Sequence, residues 1–140
     1  MVYEDRTTEE KVKIAQVAPL HESVPPKSYG GTERIVSYLT EELVRMGHDV
    51  TLFASGDSQT SAELIVAGPE SIRLSDLPRD PMIAHLLQLA EVERRADQFD
   101  IIHFHTDYLH FPVFRHNRVP HVTTLHGRIG SDDASIYTVT

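Results

Sequence analysis

The sequence predicts one α/β domain, a parallel sheet with helices on both faces. Three observations carry that reading. Lys13–Pro19 and Val50–Ala54 are short apolar runs of strand length, without the polar alternation of a half-exposed strand. Between them, Ile35, Val36, Leu39, Leu43, Val44 and Met46 recur at three- and four-residue steps, as on one helical face. The same alternation of strand and helix then repeats toward the C-terminus, which is the pattern of a parallel sheet covered on both sides.

In chain order, Lys13–Pro19 reads as a buried strand stopped by its proline. The loop Leu20–Tyr29 holds Pro25-Pro26 and runs into Gly30-Gly31, where the first helix begins. Gly47 stands where a left-handed residue ends that helix, and His48-Asp49 lead into the second strand, Val50–Ala54. The two strands should be parallel and joined by a right-handed crossover. Ser55–Ser61 is turn-forming, and Glu63–Ala67 has the composition of a third strand. Pro78 to Pro81 breaks the chain before a helix over Met82–Gln98, whose apolar positions are Ile83, Leu86, Leu87, Ala90 and Val92. Ile101–His105 is the next strand, Tyr108–Arg115 a short helix, and His121–Leu125 a further strand. The tail Ser135–Thr140 reads as one last strand or a frayed end.

The chain has 140 residues, 40% of them apolar and 24% charged, which is ordinary for a soluble globular domain. Residues 1–11 read as a flexible polar leader, and 12–140 as the folded domain. With no cysteine there can be no disulfide, thiolate zinc site or thiol nucleophile, and the cytoplasm is the compartment this suggests. A net charge of −8 with scattered basic residues argues against nucleic acid, because phosphate binding needs a concentrated basic surface. No apolar stretch has the length of a membrane span. A membrane-surface role is weakened by the mixed signs of Glu33, Arg34, Glu41, Glu42 and Arg45 on the polar side of the first helix.

In an open parallel sheet, ligands bind outside the carboxyl ends of the strands. Gly30-Gly31 falls there, at a helix N-terminus whose free N–H groups favour an anion. The plainer alternative is a tight turn. Neither G-x-G-x-x-G after the first strand nor G-x-x-x-x-G-K-[ST] is present, so no standard nucleotide cradle is being built. Five of the nine histidines stand out as candidates: His103, His105, His110, His121 and His126. His103 and His105 should share one strand face with Phe104 opposite. His126 follows the last strand and should project into a cleft, where it can donate a hydrogen bond or move a proton. His48, His85 and His116 read as helix-end or surface residues. His103-Phe-His105-Thr-Asp107 matches the start of a binuclear metallohydrolase motif. That motif expects histidine after the aspartate, where this chain has Tyr108, so no metal is assigned.

Five segments in order resemble a known family: Lys13–Pro19, Tyr29-Gly-Gly-Thr-Glu-Arg34, Gly47–Ala54, Phe99–His105 and Val122-Thr-Thr-Leu-His-Gly127. Together they look like the N-terminal half of the family 4 retaining glycosyltransferases. The resemblance implies the Rossmann-like N-terminal half of a GT-B fold, and covers about Val12 to Gly127. It implies a cleft between two domains, with the acceptor held mainly by the first and a nucleotide-diphosphate sugar, the co-substrate, mainly by the second. It implies transfer with retention and no metal or other cofactor. Residue by residue, Gly30 and Gly31 would meet the donor diphosphate, His126 would be the catalytic-centre residue beside the transferred sugar, and His103, His105, Asp107 and Tyr108 would line the acceptor side.

The family's second domain, with its paired glutamates and donor-gripping basic residues, has no counterpart in this sequence. The chain alone is therefore expected to be inactive. Its partners would be the nucleotide sugar, a carbohydrate or small-molecule acceptor, and the missing domain. An uncovered interdomain surface would favour self-association. Two alternatives stay open at this level: a stand-alone sugar- or nucleotide-binding module, and a metal-dependent hydrolase using His103, His105 and Asp107.

Overall fold

Five parallel strands form one sheet in the order β3-β2-β1-β4-β5. They are β1 (Lys13–Val17), β2 (Asp49–Ala54), β3 (Glu63–Val66), β4 (Ile101–Phe104) and β5 (His121–Thr123). The computed structural model describes residues 10–67, 71–74, 80–127, 130 and 135–136. The helices are α1 (Gly31–Arg45), α2 (Pro81–Arg95), continued by a 3-10 turn Ala96–Gln98, and the single turn α3 (Phe111–Phe114). All four strand pairings are parallel, with Val17 level with Phe53 on one side and Phe104 on the other.

From β1 the chain steps one way through α1 to β2 and β3, then crosses back through α2 to β4 on the other side of β1. Right-handed crossovers in opposite lateral directions put the two helices on opposite faces. The core divides accordingly. Val36 of α1 packs with Leu52, Ala54, Ala18 and Val24. Leu89 and Val92 of α2 pack with Val17, Phe53, Ile102 and Phe104. The strand order reverses between β1 and β4, and a crevice at such a point opens at the strands' carboxyl ends.

Strand alternation decides which residues each face receives. Ala15, Val17, Phe53, Ile102 and Phe104 point to the α2 side, where Phe114 stands edge-on to Phe104 at 4.8 Å. The intervening residues Gln16, His103 and His105 fall on the α1 side, and Gln16 is level with His103 in the register. That face is therefore partly polar, although Gln16 and His105 are buried.

The helix ends follow their residues. Asp80 caps α2 by accepting from Met82 N–H at 2.9 Å, and Pro81, which has no N–H to lose, opens the first turn. Gly47 takes φ 93°, the left-handed step that glycine makes at least cost as α1 gives way to β2.

The helical periodicities locate the helices but misplace their inner faces. In α1 the buried row is Glu33, Val36, Ser37 and Thr40, while Ile35 and Met46 are exposed. Glu33 thus leaves the polar side assigned to it. In α2 the buried row is His85, Gln88, Leu89 and Val92, while Ile83, Leu86 and Leu87 are about half exposed or more and Ala90 also faces outward. Hydrogen bonds explain the turn of α2. Gln88 Nε2 donates to the carbonyls of Ala18 and Phe53 at 3.1 and 3.2 Å, where β1 and β2 end. His85 accepts Leu20 N–H at Nε2 (3.1 Å) and donates from Nδ1 to the Pro81 carbonyl (2.8 Å). His85 is therefore a buried tie between loop and helix, not a surface residue.

The last strand ends at Thr123 rather than Leu125, and Val122 is 46% exposed on the sheet edge. In the tail, Ser135 and Ile136 are helical rather than extended. The rest of the tail, Pro78 and leader residues 1–9 lie outside the described residues.

Candidate functional site

The ten residues before the glycine pair are pinned rather than loose. Val24 N–H donates to Ser58 Oγ at 2.9 Å, Gln59 N–H to the Val24 carbonyl at 2.8 Å, and Ile72 N–H to the Leu20 carbonyl at 2.8 Å. This loop brings the chain over the carboxyl ends of β1 and β4 and delivers Gly30 as the residue before α1. A Cβ on Gly30 would sit 2.8 Å from Pro26 Cβ and 3.1 Å from Glu33 Oε2, at a φ of 157°. Only glycine fits there. Gly31 differs, since nothing lies within 4 Å of the position its Cβ would take. Its backbone is open to an incoming group, Gly30 has no side chain to cap the helix, and in the first turn the Glu33 carboxylate engages its own N–H.

An open cleft of about 530 Å³ lies at this helix end, lined by His21, Glu22, Gly30, Gly31, Thr32 and His126 among others. A smaller neighbour of about 190 Å³ shares His21, Thr32 and Glu33 with it and reaches His105, Thr106 and Asp107. The geometry thus joins the glycine pair to His126, across almost a hundred residues of sequence.

His126 is held from two sides. Its backbone N–H donates to Asp107 Oδ1 at 3.2 Å, and its Nε2 lies 2.9 Å from His105 Nδ1. Asp107 makes this contact from φ 50°, a left-handed conformation that aspartate tolerates better than most residues. Behind it, His105 Nε2 lies 2.6 Å from Gln16 Oε1, and the ring of His103 is 4.0 Å from that of His105. His103 Nε2 is paired with Thr124 Oγ1 at 2.7 Å.

Burial sets the charge states. His105 is 2% exposed, and desolvation, with His103 and His126 beside it, pushes its pKa down to about 3. The ring is neutral at any ordinary pH. Desolvation lowers His103 as well. Glu33 is 5% exposed, and desolvation raises its carboxyl pKa above the usual range. The nearby Glu22 adds to the rise, while the N–H groups of Glu33 and Glu22 oppose it. The two clefts together have three acidic side chains, Glu22, Glu33 and Asp107, and a run of imidazoles, with no strong cation among the residues lining them.

The site residues expected from sequence are partly brought together. Gly30, Gly31 and His126 share the larger cleft, and His105 and Asp107 the smaller one. His103 lies behind, beside Thr124, and Tyr108 is 40% exposed and lines neither cleft. His110 leaves the histidine group altogether. It is fully buried, stacked on Phe104 at 3.9 Å and bonded through Thr106 and Thr123. The metal alternative gains nothing, because both ring nitrogens of His105 are already engaged by Gln16 and His126. Among the described residues no group of three His, Cys, Asp or Glu could hold a metal ion.

Four residues at the site escape sequence reasoning: Gln16, His21, Glu22 and Glu33. Two had a signal. Gln16 is a lone polar residue inside an apolar strand, and Glu33 occupies the third helical position, in the first turn, where its carboxylate bonds its own N–H.

The Glycosyltransferase Family 4 model matches residues 29–138. The fold is similar to that of AviGT4, a glycosyltransferase involved in avilamycin A biosynthesis, with 25% identity and a TM-score of 0.56. That match covers 83% of this chain and 32% of AviGT4. It is also similar in fold to sucrose-phosphate synthase from Thermosynechococcus elongatus, with 20% identity, a TM-score of 0.61, and coverage of 89% and 37% respectively. The chain thus spans about a third of the length of these two solved structures. Among curated proteins, none matches it in sequence. Matched over most of its length, and built on the Rossmann-like sheet of the GT-B glycosyltransferases, the chain belongs to Glycosyltransferase Family 4, as an N-terminal domain of that family.

Proposed function

We propose that this domain supplies the acceptor-side wall of a retaining glycosyltransferase site and that its substrates are a nucleotide-diphosphate sugar and a hydroxyl-bearing acceptor. The observation that carries the reading is the larger cleft, where Gly31, with no neighbour over its Cα, and His126 face one space at the end of α1. Departure of a nucleoside diphosphate builds negative charge. The N–H groups of Gly31 and Thr32 at the start of α1 are suited to stabilise it. His126 would hold a hydroxyl of the transferred sugar, and the smaller cleft beside Asp107 and His105 would receive the acceptor. Catalysis of this kind is electrostatic and positional, and it needs no cofactor.

Glu22 and Glu33 give the cleft an acidic character that a diphosphate alone would not favour. Cationic groups from a second domain would offset both the phosphates and these carboxyls. This is the physical reason to expect weak donor binding and no turnover from these residues alone. No helix among the described residues is long and apolar enough to cross a membrane.

Titration of the chain with UDP, UDP-glucose and GDP-mannose, followed by calorimetry, tests the proposal. Weak binding that Gly31→Val and His126→Ala each reduce further is the expected result. Tight binding indifferent to both substitutions would sink it.

A further inference from the structure

Gln16, His105 and His126 form one hydrogen-bonded chain running from the middle of the sheet to the cleft. Its polarity follows from its buried end. With the Gln16 amide placed so that Oε1 faces the ring and its own Nε2 has no partner, Gln16 accepts and His105 carries its proton on Nε2. A neutral imidazole has one N–H, so His105 Nδ1 is left as an acceptor, and the atom facing it at 2.9 Å, His126 Nε2, must donate. No described residue bonds His126 Nδ1. We propose that Gln16 and His105 are positioning residues that fix the tautomer of His126, presenting its Nδ1 to the cleft as a hydrogen-bond acceptor. That the accepted proton comes from a sugar hydroxyl rests on the transferase reading; the polarity of the chain does not.

This arrangement explains an otherwise costly choice. A glutamine and a histidine in the middle of a buried sheet face lose hydration that apolar residues would not miss. It also separates the roles of the histidines, because His103 is tied to Thr124 and lies off the chain. A fixed acceptor selects for a hydroxyl pointing at it, whereas a freely exchanging ring would donate or accept as needed. His126 would then discriminate by hydroxyl orientation and not serve as the proton donor at its cleft-facing nitrogen.

The test is a long-range proton–nitrogen correlation spectrum of the full chain labelled with ¹⁵N-histidine, recorded above the ordinary histidine titration range. Both His105 and His126 should appear as single Nε2–H tautomers. In Gln16→Leu, with folding verified by retained amide dispersion, His126 should lose its single tautomer while His103 keeps its own pattern. A wild-type His126 protonated on Nδ1 would overturn the proposal, and so would an unchanged Nε2–H tautomer in folded Gln16→Leu. The wild-type spectrum decides the polarity even if the variant fails to fold. Because no nucleotide sugar is present, a failed transferase reading leaves this result untouched.

Discussion

The two faces of this sheet are cut from alternate residues of the same strands, yet they are built to different ends. On the α2 side, Val17, Phe53, Ile102 and Phe104 meet Leu89, Val92 and Phe114 in an apolar core. On the α1 side the same strands contribute Gln16, His103 and His105, and the helix contributes Glu33, Ser37 and Thr40. The first face holds the domain together by excluding water. The second gives up part of that gain to carry a polar path to the carboxyl end of the sheet. A parallel sheet allows this division because its faces pack against different helices and its ligand crevice lies at one end of both.

The largest test of the contrast is a matched pair of substitutions. Phe104→Ala should cost about 3–5 kcal/mol of stability in urea denaturation, the usual result of emptying an aromatic site in a packed core. Gln16→Leu on the other face should cost less, about 1–3 kcal/mol, as the penalty for an unpartnered His105 N–H. Equal losses would break the distinction.

Acid offers the next test. His105 and His110, each held at about 3, bind a proton in the unfolded chain near 6.5 but not in the native one. Their folded pKa values are depressed, so stability is full above the ordinary histidine range and falls as pH drops from there toward 3. Each contributes a slope approaching about 1.4 kcal/mol per pH unit. Glu33 works in the opposite sense, since its raised pKa lets the native state take up a proton first. Denaturation measured at a series of pH values should show the net histidine slope, and His105→Gln should remove its share.

The adjacent glycines sharpen the comparison further. Gly30→Val should destabilise by about 1–3 kcal/mol through backbone strain and the clash with Pro26. Gly31→Val should leave stability within about 0.5 kcal/mol, as for an unobstructed surface position, and weaken nucleotide-sugar binding instead. Thermal melts beside binding titrations separate the two effects. Half-buried His126→Ala should likewise change stability by under about 1 kcal/mol, and its loss should register in binding.

The strands and both long helices were legible because apolar runs and three-to-four spacing report which segments are buried. They report less well which side of a helix is inside. Ile83, Leu86 and Leu87 satisfy the periodic pattern of α2, but Gln88 and His85 turn inward because strand-end carbonyls and the Leu20 N–H need partners there. Periodicity counts apolar side chains and carries no information about unmet backbone groups. The same limit hid Gln16, whose partner His105 lies 89 residues away in sequence, and Glu33, whose carboxylate is held by its own N–H and that of Glu22. Gly30-Gly31 and His126 could be named from their segments, while the cleft that joins them needed the topology of β1, β4 and the loop between β1 and α1.

The central claim is that the start of α1 and His126 face one nucleotide-sugar site. Amide NMR of the labelled chain titrated with UDP-glucose tests it most directly. The account expects shifts concentrated at Gly30, Gly31, Thr32, His126 and Gly127, weak in affinity and abolished by Gly31→Val. Shifts centred on the exposed face of α2, or on the opposite end of the sheet around Lys13, Asp49 and Phe99, would contradict it.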